Sequence, residues 1–147
     1  MSAVRSYLEA AFASQRQRQW SHPWDQWAYT DYFFDPDPAL MEILEPLSDA
    51  GLSGLTIALL EWQCFHFDAC EKAALAQEYA DAAWVGLLSS GSCAYLSLDH
   101  ADWAGPGNGP LRATALMVND VLYDACVDGQ FALRACWGIR LARHCCE

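Results

Sequence analysis

Lysine is nearly absent from this chain: Lys72 is the one lysine in 147 residues, and eight basic side chains face nineteen carboxylates. That shortage excludes a nucleic-acid surface, which needs cations clustered along a face or groove. Arg134, Arg140 and Arg143 are too few, and Arg134 projects to a different side of a helix from the other two. A membrane-length apolar run is also lacking. The longest near-apolar stretch, Leu52 to Leu60, is about half of a span and stops at Glu61. The opening residues MSAVRSYLEAAF place Arg5 and Glu9 inside their apolar pattern, unlike a secretory leader, so a cytoplasmic protein is expected.

The seven cysteines contain no Cys-x-x-Cys pair, and their odd number does not suit a disulfide framework. His66 with Cys70, and His144 with Cys145 and Cys146, come nearest to ligand spacing. Zinc needs four converging ligands, usually in paired short motifs. The cysteines Cys64, Cys70, Cys93, Cys126 and Cys136 read instead as small buried hydrophobes with reduced thiols. No metal and no cofactor is expected. The glycine loop from Gly105 to Gly109 has no lysine after it and no clear strand before it, so it is not a phosphate-binding fingerprint. Asp99 and Asp102 beside it would repel phosphate. No internal repeat of fixed period is present.

What the chain has in quantity is apolar surface and negative charge. Hydrophobic residues make up 54% and charged residues 18%, the balance of a compact globular chain rather than a disordered one. Its length suits a single domain over residues 1–147. Residues 19–104 hold fourteen carboxylates against Lys72, a local net charge of −13, whereas residues 1–18 carry +2 and residues 105–147 are neutral. Such a field steers a basic partner inward, although net charge also serves plain solubility.

Alanine and leucine dominate the apolar set and favour helix. Ser2 caps a first helix with Val4, Tyr7, Leu8, Ala11 and Phe12 on one side, and Arg16 and Arg18 in its last turn suit the helix dipole. A second, short helix is expected between Pro23 and the Asp35-Pro36-Asp37-Pro38 stop, with Trp24, Trp27 and Phe34 on one side. Asp37 caps the next, carrying Leu40, Ile43, Leu44 and Leu47. The stretch from Leu52 to Phe67 is apolar almost all round, which marks the central helix of the domain. Leu55, Leu59, Trp62 and Phe65 form one side of it, and Ile57, Leu60, Cys64 and Phe67 another; Glu61 and Asp68 share a direction. Asp68 then caps a helix whose stripe is Ala73, Ala76, Ala80, Ala83, Trp84 and Leu87, small enough for close helix approach. After the Ser89-Ser90-Gly91-Ser92 break, residues 93–98 form a short strand or an irregular crossing. Pro110 opens a helix with Leu111, Ala115, Val118, Leu122 and Ala125 inward, and the last helix repeats that spacing with Phe131, Ala135, Gly138, Ala142 and Cys145. The expected fold is a mostly α bundle of about six helices with little or no β.

Two places carry candidate chemistry. His100 lies between Asp99 and Asp102, and a carboxylate orients an imidazole for general-base work, but no nucleophile motif accompanies it. No catalytic residue is assigned on this basis. The segment WSHPWDQWAYTDYFFDPDP packs rings among carboxylates, the composition of a binding hot spot facing a basic protein. The partner-binding candidates are Trp20, Trp24, Asp25, Trp27, Asp31, Tyr32, Asp35 and Asp37. A thick aromatic core layer is the competing reading of the same rings. The expected function is a small acidic protein-binding protein, in its most concrete form an immunity or antitoxin-like inhibitor occluding a bacterial toxin with a basic cleft. A small enzyme centred on Asp99 and His100, or a non-catalytic adaptor subunit, are the alternatives.

Overall fold

The computed structural model describes residues 20–89, 93–124 and 128–147. The expected first helix with Arg16 and Arg18, residues 90–92 of the expected break, and Ala125 and Cys126 lie outside the described residues. Among the described residues there are five α-helices and no strand: α1 Pro38–Leu44, α2 Asp49–His66, α3 Ala73–Leu88, α4 Asn108–Asn119 and α5 Phe131–Cys146. A π-helical turn, Asp120–Asp124, continues α4. No helix among the described residues is long and apolar enough to cross a membrane.

The short helix expected between Pro23 and Asp35 does not form. Asp25 Oδ1 accepts hydrogen bonds from Trp27 N at 2.8 Å and Ala28 N at 3.1 Å, the pattern of an N-cap, but the turn it opens is not continued as an α-helix. Only a 3-10 turn, Tyr29–Tyr32, remains. Asp37 does cap α1, accepting from Ala39 N and Leu40 N with Pro38 in the first turn.

The core is built around α2. Ser48 caps it through Gly51 N, and Ile57, Leu60, Cys64 and the following Phe67 are buried. Each such large apolar side chain contributes about 1.5–3 kcal/mol on burial. The other stripe, Leu55, Leu59, Trp62 and Phe65, is only partly buried. Glu61 and Asp68 do not share a surface as the sequence suggests. Glu61 lies four residues after Ile57 and three before Cys64, on the inward side, and is fully buried. Asp68 lies beyond the helix end at His66 and is exposed. Nor does Asp68 cap α3. That helix begins at Ala73 behind Lys72, whose N–H is satisfied by Asn108 Oδ1 at 3.2 Å from the start of α4. Its alanine stripe, Ala73, Ala76, Ala80 and Ala83, is buried as expected, and α3 packs closely on α2.

α4 is buried on nearly every side, with only Asn108 and Leu116 partly open. Its polar side chains are hydrogen-bonded inside. Thr114 Oγ1 donates to Pro110 O, and Asn119 pairs with both backbone groups of Leu96, at 2.9 and 3.2 Å, as a neighbouring strand would. Tyr79 donates to the same Asn119 side chain. This clamp holds residues 93–98 as an irregular crossing, so no strand is needed there. In α5, Phe131, Ala135, Gly138 and Cys145 face inward as their spacing implies, joined by Cys136 and Leu141.

Candidate functional site

Residues 20–37 form a strap across the first turn of α4 and the C-terminal half of α5. Its inner half is anchored by rings. Trp20 Nε1 donates to His66 O at 3.2 Å, and its ring meets Phe67 edge-on at 5.0 Å. His22 Nε2 donates to Pro106 O and His144 Nε2 to Pro23 O, both at 2.7 Å, while His66 Nε2 donates to Cys145 O at 3.1 Å. A carbonyl oxygen only accepts, so each of these three nitrogens carries the proton. That leaves His22 Nδ1 buried without a partner among the described residues. Burial lowers the pKa of His22 and of His66, against the opposing pull of their carbonyl partners.

The glycine loop makes this docking possible. A methyl group at Gly107 would collide with Cys70 Sγ and the ring of Trp20, and one at Gly109 with the indole of Trp24. Trp24 stacks on Tyr29 at 5.6 Å, and Tyr32 stacks on His144 at 4.2 Å. The loop that resembled a phosphate cradle only in its glycines is a socket for tryptophan.

Gln26 joins the two halves. Its Oε1 accepts from Trp24 Nε1 at 3.0 Å and Gly105 N at 3.1 Å, which fixes the amide so that Nε2 donates to His100 Nδ1 at 3.0 Å. Neither Asp99 nor Asp102 hydrogen-bonds the His100 ring among the described residues; Asp99 Oδ1 accepts from Ala101 N instead. His100 serves as a platform. The indole of Trp27 lies on it nearly parallel, with centroids 5.5 Å apart.

The outer half faces solvent. Trp27 is 86% exposed although its backbone is fixed by Asp25 and its ring by His100. Asp25, Asp31 and Asp35 are exposed, and none of them makes an ion pair among the described residues. Phe34, 53% exposed, stacks on Trp137 at 4.7 Å, and Trp137 Nε1 donates to Phe34 O at 2.8 Å. The eight candidates therefore divide. Asp25, Trp27, Asp31 and Asp35 are on the outside, whereas Trp20, Trp24 and Tyr32 pack inward. Asp37 is occupied as a helix cap, with its Oδ2 also 3.7 Å from Arg143 Nη1.

Sequence reasoning missed the partners that position this face: Gln26, His144, Trp137 and Arg112. Arg112, nearly buried in α4, donates to Leu98 O at 3.0 Å and to Tyr29 Oη at 3.3 Å beneath the strap. The one available signal was Trp137, a large ring lying off the inward stripe of α5. Among the described residues no three His, Cys, Asp or Glu side chains converge as a metal site. Burial raises the Cys70 thiol to about 11, helped by Asp68, and the Cys145 thiol to about 12, which keeps both protonated and unreactive at neutral pH. Comparison of the chain with known protein families, curated proteins and solved structures gives no match.

Proposed function

We propose that this is a small acidic protein-binding protein whose strap covers a basic surface on another protein, in the manner of an immunity or antitoxin-like inhibitor occluding a cognate bacterial toxin. The observation that carries this reading is Trp27: a large ring left 86% exposed, stacked on His100, with its backbone N–H bonded to Asp25. A preorganised tryptophan loses little conformational freedom on binding, which is the property of a hot-spot anchor. Twelve of the fourteen carboxylates in residues 19–104 are exposed, all but Asp37 and Glu61. Carboxylates in that number take the places that phosphates would occupy in a basic cleft and speed encounter with it.

The same geometry gives His100 a supporting role. Its Nδ1 accepts from an amide whose orientation two other donors fix, and no carboxylate among the described residues hydrogen-bonds the ring. A general base would need that nitrogen free or a carboxylate behind the other one.

The test is capture of a partner by the tagged protein, followed by titration of the partner's own activity. Stoichiometric loss of that activity is expected. Asp25→Lys and Asp31→Lys should slow association, with a larger effect at low salt, while leaving dissociation nearly unchanged. A captured partner whose activity is untouched at saturation would refute the inhibitor reading. An activity of the protein itself that His100→Ala abolishes without unfolding would put an enzyme in its place.

A further inference from the structure

Beside the exposed ring of Phe34 the strap, α4 and α5 enclose an open pocket of about 130 Å³. Phe33, Phe34, Leu116, Met117 and Trp137 supply its walls, and Asp120 stands at its edge. For scale, a cavity of about 150 Å³ lined by apolar side chains admits benzene, so this one takes a single aliphatic or small aromatic side chain. Its shape is fixed. Trp137 is held by its hydrogen bond to Phe34 O, by the stacked Phe34 ring and by the Arg134 guanidinium 5.1 Å from its centroid.

Charge chooses the occupant. Asp120 is paired with Arg134 at 3.3 Å, which also binds Asp128 at 3.0 Å, so the one carboxylate on the lining is already engaged and the apolar walls ask for an uncharged group. Asp31 and Asp35, next in sequence to the lining residues Thr30 and Phe34, are exposed without an ion pair among the described residues. An apolar hole with two exposed carboxylates one residue from its lining, neither ion-paired among the described residues, fits an aliphatic side chain neighboured by cations. Tyr29 links this hole to the Trp27 anchor, since it lines the pocket and meets His100 edge-on at 5.8 Å.

We infer that the pocket receives one aliphatic side chain, of leucine or methionine kind, from a basic segment of a protein partner. This inference rests on the protein-binding reading above and adds to it a residue-level preference in the partner. The binding mode is reciprocal: Trp27 projects as a knob, and the Phe34–Trp137 pocket accepts one.

Three synthetic peptides test it on the intact protein: Arg-Lys-Leu-Lys-Arg, the same peptide with alanine for leucine, and Gly-Gly-Leu-Gly-Gly. Titration is followed by the indole N–H resonance of Trp137, assigned with Trp137→Phe. The leucine-centred basic peptide should shift that resonance and bind about tenfold more tightly than the alanine peptide. The neutral peptide should be weaker than the basic one by a similar factor, and Leu116→Trp should abolish the preference for leucine. Equal binding of the leucine and alanine peptides, with shifts only at Trp27, would overturn the pocket while leaving the acidic aromatic face in place. Equal binding of neutral and basic peptides would overturn the role of Asp31 and Asp35. No shift at Trp137 with any peptide would overturn the inference altogether, whereas failure of the partner's inhibition is read separately, from its own activity.

Discussion

Trp24 and Trp27 stand three residues apart on the same strap, and the fold uses them in opposite ways. Trp24 lies over Gly109, stacks on Tyr29 and donates to Gln26; Trp27 rests one face on His100 and turns the other to water. A helical turn would have put both rings on one side. Between them Asp25 accepts from the N–H groups of Trp27 and Ala28 and fixes the backbone of the turn. The glycine socket at Gly109 and the ring of His100 sort two identical side chains into a structural anchor and an exposed one.

The largest effect that can break this contrast is Trp24→Ala. Removing the ring from its glycine socket should cost about 3 kcal/mol in urea unfolding, at the low end for a large aromatic truncation because Trp24 is partly buried. Stability within experimental error of wild type would place Trp24 outside the core. Gly109→Ala should cost about 1–3 kcal/mol, since its new methyl meets the indole. Its cost should shrink in the Trp24→Ala background, where the collision is gone. Simple additivity in that double-mutant cycle would mean that the loop and the tryptophan are not matched to one another.

A pH effect of intermediate size follows from the histidines behind the strap. The ring of His22 faces Phe67, His144 and the Pro106 carbonyl, and His66 lies against Phe67 and Trp62. Desolvation lowers the folded-state pKa of both below the unfolded value of about 6.5. Between those values the unfolded chain binds more protons. Stability is therefore full above about pH 6.5 and declines as pH falls through the lowered values. Melting temperatures between pH 7 and 5 should drop, and His22→Gln should drop less steeply. An identical slope for this variant would remove His22 from the explanation. The smallest effect is that of Trp27→Ala on the unbound protein, under about 1 kcal/mol, because only the stack on His100 is lost.

The contrast between Trp24 and Trp27 also shows where the sequence was legible. Apolar spacing located α2, the alanine stripe of α3 and the inward side of α5, because burial of a helix face leaves its period in the residues. The same reasoning made the stretch from Leu52 the most enclosed helix, yet α4 is more fully enclosed despite Arg112, Thr114 and Asn119. Those polar groups are satisfied by Leu98, Tyr29, Pro110 and Leu96, partners that no local pattern announces. Glu61 was misplaced for the same reason. A buried polar residue and an exposed one have the same letter, and only long-range partners separate them. In the strap, composition pointed to rings and carboxylates together. It did not divide them, because the division depends on Gly107, Gly109 and His144, far away in the chain.

The most direct measurement of the claim that Trp27 is a binding anchor is a paired one: the melting temperature of Trp27→Ala and its affinity for the captured partner. A melting temperature close to wild type is expected together with a loss of about 2 kcal/mol in binding, roughly thirtyfold in Kd. Unchanged affinity in a folded Trp27→Ala protein would contradict the claim.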